Sequence, residues 1–325
     1  MSIYKNHKLI ELFTRYEGNP ILTPAMWPYK VNSVFNAGAV LYNNKALLLV
    51  RVEDMRGFSH FSKATSIDGI TNWEIDPKPT VLPEVDKFPE EYYGIEDPRI
   101  VKLEEEYGYT IGYAIVYTSF SKGGPLVSLA MTDDFINFNK FGIIMPPEDK
   151  DASLFPRRFH GRWALLHRPT PSSPSMGAHI WISFSPDLIH WGNSSVLLPA
   201  RQGSWWDANK IGLGPPPIET PEGWLIIYHG VRQTAAGSMY RLGLAMLDLD
   251  DPRKIVKRCD EWVFGPHEMY ERIGDVPDVT FPCGVVVKDG NLIMYYGAAD
   301  TTIAVATAPM SQVLDCFHNS TNNTY

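Results

Sequence analysis

The sequence predicts an all-β fold, a five-bladed β-propeller, and a repeated strand pattern is the main reason. Five times along the chain, a short turn leads into a run of Tyr, Trp, Leu and Ile that closes on a polar or charged side chain. The closing residues are Arg51, Tyr117, Arg168, His229 and Tyr296, and their spacings are 66, 51, 61 and 67 residues. Such spacing is typical of propeller blades, each an antiparallel sheet that faces a common channel.

Each run has the length and composition of a β-strand. In chain order the runs occupy residues 44–51, 107–117, 161–168, 223–229 and 290–296. Because equivalent strands of different blades end on the same side of a propeller, we expect side chains that are distant in sequence to meet at one axis.

A second repeat pairs an Asp with an aromatic residue four or five positions later. The pairs are Asp68 with Trp73, Asp134 with Phe138, and Asp187 with Trp191. We interpret them as outer hairpin turns whose aromatic residues pack between blades. The alternative is that any all-β chain contains scattered Asp turns, since turn chemistry alone favours Asp. The coincidence with five strand runs favours blades.

Composition agrees with one large β domain over residues 1–325. Hydrophobic residues make up 44% of the chain and aromatic residues 12%, and no helical period is sustained. Two domains would be usual for this length, but each propeller blade needs its neighbours to bury its faces.

Charge and targeting features narrow the class of protein. A net charge of −8 disfavours a nucleic-acid surface. No run of 18 apolar residues predicts a membrane span, and residues 1–8 do not read as a secretory signal. Cys259, Cys283 and Cys316 lack the spacing of a metal site or a disulfide framework. We therefore expect a cytoplasmic protein without a metal.

The densest chemical signal is the segment 94–100, GIEDPRI. Pro98 excludes the helical region for Asp97, which predicts an extended or turn backbone there. Adjacent carboxylates on a strand point to opposite sides, so Asp97 is expected to face the channel while Glu96 pairs with a cation such as Arg99. Asp97 is thus a candidate general acid. The alternative is an ordinary turn with solvated charges.

Basic residues accompany this segment from several blades. They are Arg157, Arg168, Lys210 and His229. Clustered cations repel one another unless an anion or several carboxylates lie among them. Phosphate fits, because Arg offers it a bidentate fork and Lys a point charge. Tyr240 is assigned to the same phosphate site.

Other polar side chains are suited to sugar hydroxyls. The predicted sugar-binding residues are Asn36, Arg51, Asp54, His60, Glu96, Asp207 and Asp300. Trp205, Trp206 and Phe281 are candidates for stacking on sugar faces, with core packing as the alternative. No Gly-rich phosphate loop or serine nucleophile elbow is present.

Six short blocks resemble, in order, the mannoside-phosphorylase family, glycoside hydrolase family 130. They are residues 95–99, 154–157, 167–169, 210–212, 228–230 and 295–300. The resemblance implies a five-bladed propeller and inverting phosphorolysis of β-mannosides, releasing α-mannose 1-phosphate. It also implies inorganic phosphate as co-substrate, no other cofactor, and a homo-oligomer.

By position, Asp97 matches the family's catalytic acid, which is thought to reach the glycosidic oxygen through a mannose hydroxyl. Arg157, Arg168, Lys210 and His229 match its phosphate-binding residues. Arg51 and Asp300 match residues that hold the mannose. The family also contains hydrolases, in which carboxylates replace some of the cations, and retention of the cations implies a phosphorylase.

The acceptor sugar is left open, because Glu96 stands where other branches carry Tyr. We favour β-1,4-mannosyl-N-acetylglucosamine or related β-1,4-mannooligosaccharides, with β-1,4-mannosylglucose and β-1,2-mannobiose as alternatives. Two further hypotheses are a hydrolase that pairs Asp97 with Asp54 or Asp300, and a carbohydrate-binding propeller without catalysis.

Overall fold

The computed structural model describes residues 11–104, 110–171, 177–235 and 237–319. Short strand β1 (Thr14–Arg15) comes first. Blade one contains β2 (Ser33–Tyr42), β3 (Lys45–Glu53), β4 (Ser59–Ser66) and β5 (Glu74–Ile75), and blade two contains β6 (Gly94–Glu104), β7 (Thr110–Ser121), β8 (Gly124–Thr132) and β9 (Asn139–Ile143).

The remaining blades follow in sequence. Blade three contains β10 (Asp149–Leu154), β11 (Trp163–Pro169), β12 (Ile180–Ser185) and β13 (Gly192–Leu198). Blade four contains β14 (Lys210–Leu213), β15 (Ile218–Thr220), β16 (Gly223–Thr234), β17 (Gly237–Leu247) and β18 (Ile255–Arg258). Blade five contains β19 (Thr280–Lys288), β20 (Asn291–Ala298) and β21 (Thr302–Pro309).

Strands from the N-terminal and C-terminal regions of the chain pair with each other in blade five. Strand β1 pairs antiparallel with β21, so an N-terminal strand completes the last blade. Helix α2 (Met310–Asn319) follows β21 and buries Val313 and Phe317 against blades four and five. Helix α1 (Met269–Arg272) and two 3-10 helices, Pro24–Met26 and Pro89–Glu91, lie in connections. No helix in the described ranges is long and apolar enough to span a membrane.

The hydrophobic core shows that the ring of blades closes. Among the described residues, apolar clusters fill all five junctions between neighbouring blades. Each cluster contains residues of two neighbouring blades: Leu49 and Ile115 (blades one and two), Val116 and Trp163 (two and three), Leu166 and Trp224 (three and four), Leu242 and Met294 (four and five), and Tyr295 and Leu48 (five and one). Each blade therefore buries both faces against its neighbours, and the prediction of a five-bladed propeller is confirmed.

The strand runs found in the sequence are β3, β7, β11, β16 and β20, each of which is second in its blade when the strands are counted across the sheet from the first. Residues 107–109 of the second run lie outside the described ranges, as do residues 1–8. The Asp turns are confirmed as outer turns between the third and fourth strands. Asp68, Asp134 and Asp187 each accept backbone N–H groups two and three residues later. Asp248 forms the same turn in blade four, which the aromatic spacing did not indicate.

Candidate active site

The first strands of blades one, two and three share a β-bulge near their beginning. The ladder register shifts between Phe35 and Gly38 in β2, and equivalent shifts occur in β6 and β10. At the bulges, Asn36, Asp97 and Asp151 have φ angles of 47°, 52° and 52°. Asn and Asp tolerate this left-handed conformation best among residues with a side chain. Bulges re-aim side chains, and here Asn36 donates directly to Asp97, while the charges of Lys150 and Arg99 act on both Asp97 and Asp151.

The left-handed backbone at Asp97 corrects the predicted geometry of the Glu96–Asp97 pair. On what we call the acidic side, formed by Arg51, Glu96, Asp97 and Asp300, one guanidinium binds both adjacent carboxylates. Arg51 Nη1 lies 2.9 Å from Asp97 Oδ1, and Nη2 lies 3.1 Å from Glu96 Oε1. The expectation that the two carboxylates point to opposite sides is wrong, because the bulge interrupts strand alternation between them.

The two oxygens of Asp97 have different surroundings. Asn36 Nδ2 donates a hydrogen bond of 2.9 Å to Oδ1, the oxygen that also binds Arg51. Oδ2 accepts no hydrogen bond from any described residue. Asp97 is only 2% exposed. Oδ2 is therefore the oxygen available to carry or deliver a proton.

Asp97 and Asp300, the one buried and the other half-buried, differ in their pKa values. Burial raises the pKa of Asp97, but Arg51, Lys150 and Arg99 together lower it below its ordinary value. Burial raises the pKa of Asp300 to about 6, and the charge of Asp97 contributes to this rise. Without ligands, Asp97 is thus ionised at neutral pH. Asp300 accepts no hydrogen bond from the described residues, which leaves its carboxyl for a ligand.

Arg99 spans the channel rather than pairing with Glu96. Its Nε and Nη2 donate to the carbonyl oxygens of Gly214 (2.6 Å) and Leu213 (2.9 Å) in blade four, and Nη1 donates to the Asp97 carbonyl (3.1 Å). Arg99 is 1% exposed. The predicted ion pair is therefore replaced by a buried connection between blades two and four that supports the Asp97 backbone.

The cationic side consists of Lys150, Asp151, Arg168 and Lys210, from blades three and four. Lys150 and Arg168 are opposite each other in the β10–β11 ladder. Arg168 Nε donates to Asp151 Oδ2 at 2.8 Å. Within the described ranges, no residue accepts a hydrogen bond from the terminal nitrogens of Arg168 or from either lysine ammonium. Three cations share one carboxylate, so this side carries positive charge that an anion can neutralise.

The two lysines respond differently to burial. Burial lowers the pKa of Lys150, but Asp151, Asp97 and Glu96 raise it above its ordinary value. The pKa of Lys210 is lowered by burial and further by Arg168. Lys150 therefore connects the two sides electrostatically, since its charge also lowers the pKa of Asp97.

His229 joins the cationic side as a neutral ring. Burial lowers its pKa to about 3, and Arg168 and Lys210 contribute to the decrease. Its Nε2 lies 3.6 Å from Asp151 Oδ2. Tyr240 stacks at 6.3 Å between ring centroids, and Phe281 packs at 4.7 Å. The expectation of a fourth cation is corrected to a neutral imidazole. Phe281 supports His229, which is the core-packing alternative for that residue.

Gly212 explains how the His229 ring and the Asp151 carboxylate come so close. A Cβ at Gly212 would collide with both side chains. Strand β14 pairs with β16 so that Gly212 lies opposite His229. A glycine at this position is therefore required by the close approach of strand and side chains.

Arg157 is not brought to the cationic side. Its guanidinium donates to the Leu249 carbonyl at 3.0 Å and lies 3.4 Å from Glu219. It also packs 5.3 Å from the Trp224 ring. Glu219 lies in β15, Trp224 at the start of β16 and Leu249 beyond the end of β17, whereas His229 lies halfway along β16 and Tyr240 near the start of β17. Arg157 thus stabilises the junction of blades three and four on the opposite face of the propeller.

Asp207 is held in a closed buried network. It is fully buried, and its Oδ2 accepts from Arg258 Nη2 at 2.7 Å and from the Tyr228 hydroxyl at 3.0 Å. Trp206 stacks on Tyr228 at 5.6 Å. This arrangement stabilises blade four, and both hydrogen bonds to Oδ2 come from protein groups rather than from a sugar.

Asp54 and His60 lie in blade one. Asp54 binds Arg56 at 2.7 Å and accepts the backbone N–H of Phe58, so it stabilises its own turn. His60 Nε2 lies 2.9 Å from the Tyr29 hydroxyl. Burial lowers the pKa of His60. Both residues are engaged by protein groups, in contrast to Asp300.

A buried chain of polar groups lies behind the cationic side. Asp149 Oδ2 lies 2.6 Å from His167 Nδ1, and His167 Nε2 lies 2.8 Å from the Ser183 hydroxyl. Asp149 Oδ1 accepts the backbone N–H of Arg168 at 3.1 Å. Ser183 is completely buried, so this group cannot attack a substrate. It fixes the backbone that presents Lys150 and Arg168.

Sequence reasoning missed Lys150 and Asp151. A signal was present, because the three bulges read Asn-Ala, Asp-Pro and Asp-Ala. Their first residues, Asn36, Asp97 and Asp151, are 61 and 54 residues apart, which matches the spacing of the blades. Aligning these dipeptides would have placed Asp151 beside Asp97 and Lys150 in the position of Glu96.

Comparison with known proteins finds similar sequences over nearly the whole chain. The family model Glyco_hydro_130, described as beta-1,4-mannooligosaccharide phosphorylase, matches residues 4–319. The chain is 35% identical to beta-1,4-mannooligosaccharide phosphorylase of Ruminococcus albus, over 94% of this chain and 90% of that protein. It is 34% identical to 1,2-beta-oligomannan phosphorylase of a Thermoanaerobacter species, over 92% and 98% of the two proteins.

A solved structure has the same fold. The beta-1,2-mannobiose phosphorylase of Listeria innocua, in complex with beta-1,2-mannobiose, superimposes with a TM-score of 0.82. Sequence identity is 31%, and the match covers 94% of this chain and 99% of that chain.

Proposed function

The chain belongs to glycoside hydrolase family 130, and from that premise we propose that it catalyses inverting phosphorolysis of β-mannosides to α-mannose 1-phosphate. The observation that carries the proposal is the cationic side. The ammonium groups of Lys150 and Lys210 and the terminal nitrogens of Arg168 donate no hydrogen bond to any described residue. They surround the carboxylate of Asp151, which Arg168 Nε binds. Phosphate dianion neutralises this surplus and receives charge-assisted hydrogen bonds.

A phosphate nucleophile also explains why one catalytic carboxyl group is sufficient for the reaction. An inverting hydrolase needs a second carboxylate, about 6.5–9.5 Å from the acid, to activate water. Phosphate is already an oxyanion and requires only neutralisation and orientation, which the cationic side supplies. His229, neutral and fixed by Tyr240 and Phe281, contributes a hydrogen bond rather than a charge.

Asp97 is proposed as the proton donor. Its Oδ2 has no hydrogen-bond partner among the described residues, while Arg51 and Asn36 hold Oδ1. The low pKa of Asp97 depends partly on the charge of Lys150. Neutralising Lys150 with phosphate removes part of that effect, so phosphate binding raises the pKa of Asp97 and favours the protonated acid. Nucleophile binding and acid protonation are thereby coupled.

Asp300 is proposed to bind the mannose that is transferred. Its carboxyl faces Arg51 and Asp97 but accepts no hydrogen bond within the described ranges. A half-buried carboxylate that accepts no hydrogen bond from the described residues is suited to sugar hydroxyls. The hydrolase alternative would use Asp300 as base, an assignment that the retained cations disfavour.

For the linkage, we favour β-1,4-mannosides, with β-1,4-mannosyl-N-acetylglucosamine or mannooligosaccharides as substrates. The family description and the Ruminococcus albus relative support this choice. The Thermoanaerobacter relative, almost equally similar, is named for β-1,2-oligomannan, so β-1,2-mannobiose is the alternative. Glu96 lies beside Asp97 and offers a carboxylate to the acceptor sugar.

The test is a panel of β-1,4- and β-1,2-linked mannosides, incubated with and without inorganic phosphate. We expect α-mannose 1-phosphate to appear only when phosphate is present, and faster from the β-1,4 substrates. Release of free mannose without phosphate would contradict phosphorolysis. Faster turnover of the β-1,2 substrates would leave phosphorolysis intact and overturn the linkage.

A further inference from the structure

Four aromatic side chains next to the acidic side form a continuous patch, which we call the rim patch. It consists of Phe58, Tyr92, Tyr93 and Phe120. Tyr93 lies 5.7 Å from Phe58, 5.1 Å from Tyr92 and 5.9 Å from Phe120 between ring centroids. Tyr92 is 53% exposed and Phe120 is 38% exposed. The rim patch therefore presents apolar ring surface to solvent beside a polar site.

The rim patch is rigidly attached to the acidic side. Gly94 begins β6 and pairs with Ser59 of β4, and a Cβ at Gly94 would clash with the Ser59 backbone. Ser59 in turn accepts a hydrogen bond of 3.0 Å from Arg51 Nε. The Tyr93 N–H donates to the Phe120 carbonyl at 2.8 Å. Two blades thus hold the patch directly outside Arg51.

The turn that carries Phe58 is fixed as well. Asp54 accepts the N–H groups of Arg56 and Phe58 at 2.8 and 3.2 Å, and the Arg56 guanidinium lies 5.1 Å from the Phe58 ring. Asp54, expected from the sequence to bind sugar, instead positions an aromatic residue that can. Tyr93 precedes Asp97 by four residues, which is about 13 Å along a strand.

The stereochemistry of the reaction determines what this surface faces. In an inverting displacement, nucleophile and leaving group occupy opposite sides of the anomeric carbon. The phosphate cations come from blades three and four. The leaving sugar therefore departs on the side away from blades three and four, toward blade one, which carries Phe58 of the rim patch. Sugar rings have faces of C–H groups that pack on aromatic rings.

We propose that the rim patch is a distal acceptor subsite, which binds a sugar unit beyond the one released at the cleaved bond and so favours oligosaccharides over disaccharides. This inference rests on the proposed function, because it assumes mannoside phosphorolysis at Asp97. The ligand class is a β-linked mannooligosaccharide, oriented with its reducing end toward Tyr93 and Phe120.

The test compares β-mannobiose with β-mannotriose, of whichever linkage the parent protein cleaves, in the variants Tyr92→Ala and Phe120→Ala. We expect kcat/KM for the trisaccharide to fall about threefold to tenfold, the usual size of an aromatic contact, while the disaccharide value stays unchanged. Phe141→Ala is the matched control, because Phe141 is 44% exposed on the outer strand β9. It should alter neither value.

The possible outcomes distinguish failure of the proposed subsite from failure of the proposed phosphorylase function. A parent that releases no mannose 1-phosphate from either substrate contradicts the proposed function. An active parent whose trisaccharide-to-disaccharide ratio of kcat/KM is unchanged in both variants contradicts the subsite alone. Tyr92 is more than half exposed, so Tyr92→Ala gives a folded protein even where Phe120→Ala does not.

Discussion

The acidic and cationic sides each contain an aspartate on an equivalent β-bulge, Asp97 in β6 and Asp151 in β10, but they differ in how far their charges are paired within the protein. Arg51 is fully engaged by Glu96 and Asp97. The terminal nitrogens of Lys150 and Arg168 find no acceptor among the described residues. On the acidic side, the charge of Arg51 is paired with carboxylates of the protein, which suits a neutral sugar. On the cationic side, positive charge is left over, which suits an anion. The predictions that follow test whether this division holds.

The largest effect is expected for Asp97→Asn. The substitution keeps the contacts to Arg51 and Asn36 but removes the proposed proton donor, and general-acid catalysis contributes about 10²–10⁴-fold to the rate. Steady-state phosphorolysis measures the loss. An aryl mannoside, whose leaving group needs less acid assistance, should recover part of the rate. Near-normal phosphorolysis by Asp97→Asn would place the acid elsewhere.

The second effect compares Lys150 with Arg157. Lys150→Met should raise the KM for phosphate about 10- to 150-fold, because a charged hydrogen bond contributes about 1.5–3 kcal/mol. Lys150→Arg should restore most of it. Arg157→Met is the matched control and should leave the KM for phosphate unchanged, since Arg157 lies on the opposite face. The reverse pattern would support the sequence assignment over the structural one.

The third effect separates activity from stability at Asp300. Its pKa is about 6 in the folded protein and about 3.9 when unfolded. The folded state therefore binds more protons between these values, and stability is lost as pH rises through about 4 to 6. Asp300→Asn should increase the free energy of unfolding at pH 7.5 by up to about 3 kcal/mol. Denaturation at pH 4 should show little difference.

The same Asp300→Asn variant should turn over every mannoside about tenfold more slowly, because each shares the transferred sugar and loses a charged acceptor. In the parent, kcat/KM for the mannoside should decrease as pH falls below about 6 and Asp300 becomes protonated. A variant that is both less stable at pH 7.5 and fully active would contradict both roles.

The smallest effect concerns the buried chain behind the cationic side. Asp149→Asn weakens the contacts to His167 and to the Arg168 backbone. We expect the KM for phosphate to rise about twofold to tenfold, with kcat for the mannoside nearly unchanged. Equal loss in both parameters would show a general folding defect. Circular dichroism of the variant provides the control.

The blades and their order could be predicted from sequence because strand runs and Asp turns repeat locally. Residues at the ends of these runs, such as Arg168 and His229, were found for the same reason. The Asp97 backbone was not, since a bulge depends on pairing between strands. Arg157 was assigned to the phosphate site only because residues 154–157 resemble a family motif. The local sequence does not indicate on which face of a propeller a side chain lies. Lys150 was missed because it stands in a short charged segment, Glu148–Asp151, that resembles an ordinary surface turn.

The ionisation states also required the structure. His229 is a potential cation in any sequence, and only its burial beside Arg168 and Lys210 makes it neutral. Asp97 and Asp300 are identical in sequence terms, yet Arg51 and Asn36 contact only Asp97. Charge in this site depends on distances between blades, which no local pattern contains.

The division between the two sides is tested most directly by measuring the KM for phosphate and the KM for a β-mannoside in Lys150→Met and in Asp300→Asn. We predict that Lys150→Met raises the phosphate value at least about tenfold and changes the mannoside value little, while Asp300→Asn does the reverse. If both variants raise the same KM by similar factors, phosphate and mannose are not bound on separate sides, and the proposed arrangement is contradicted.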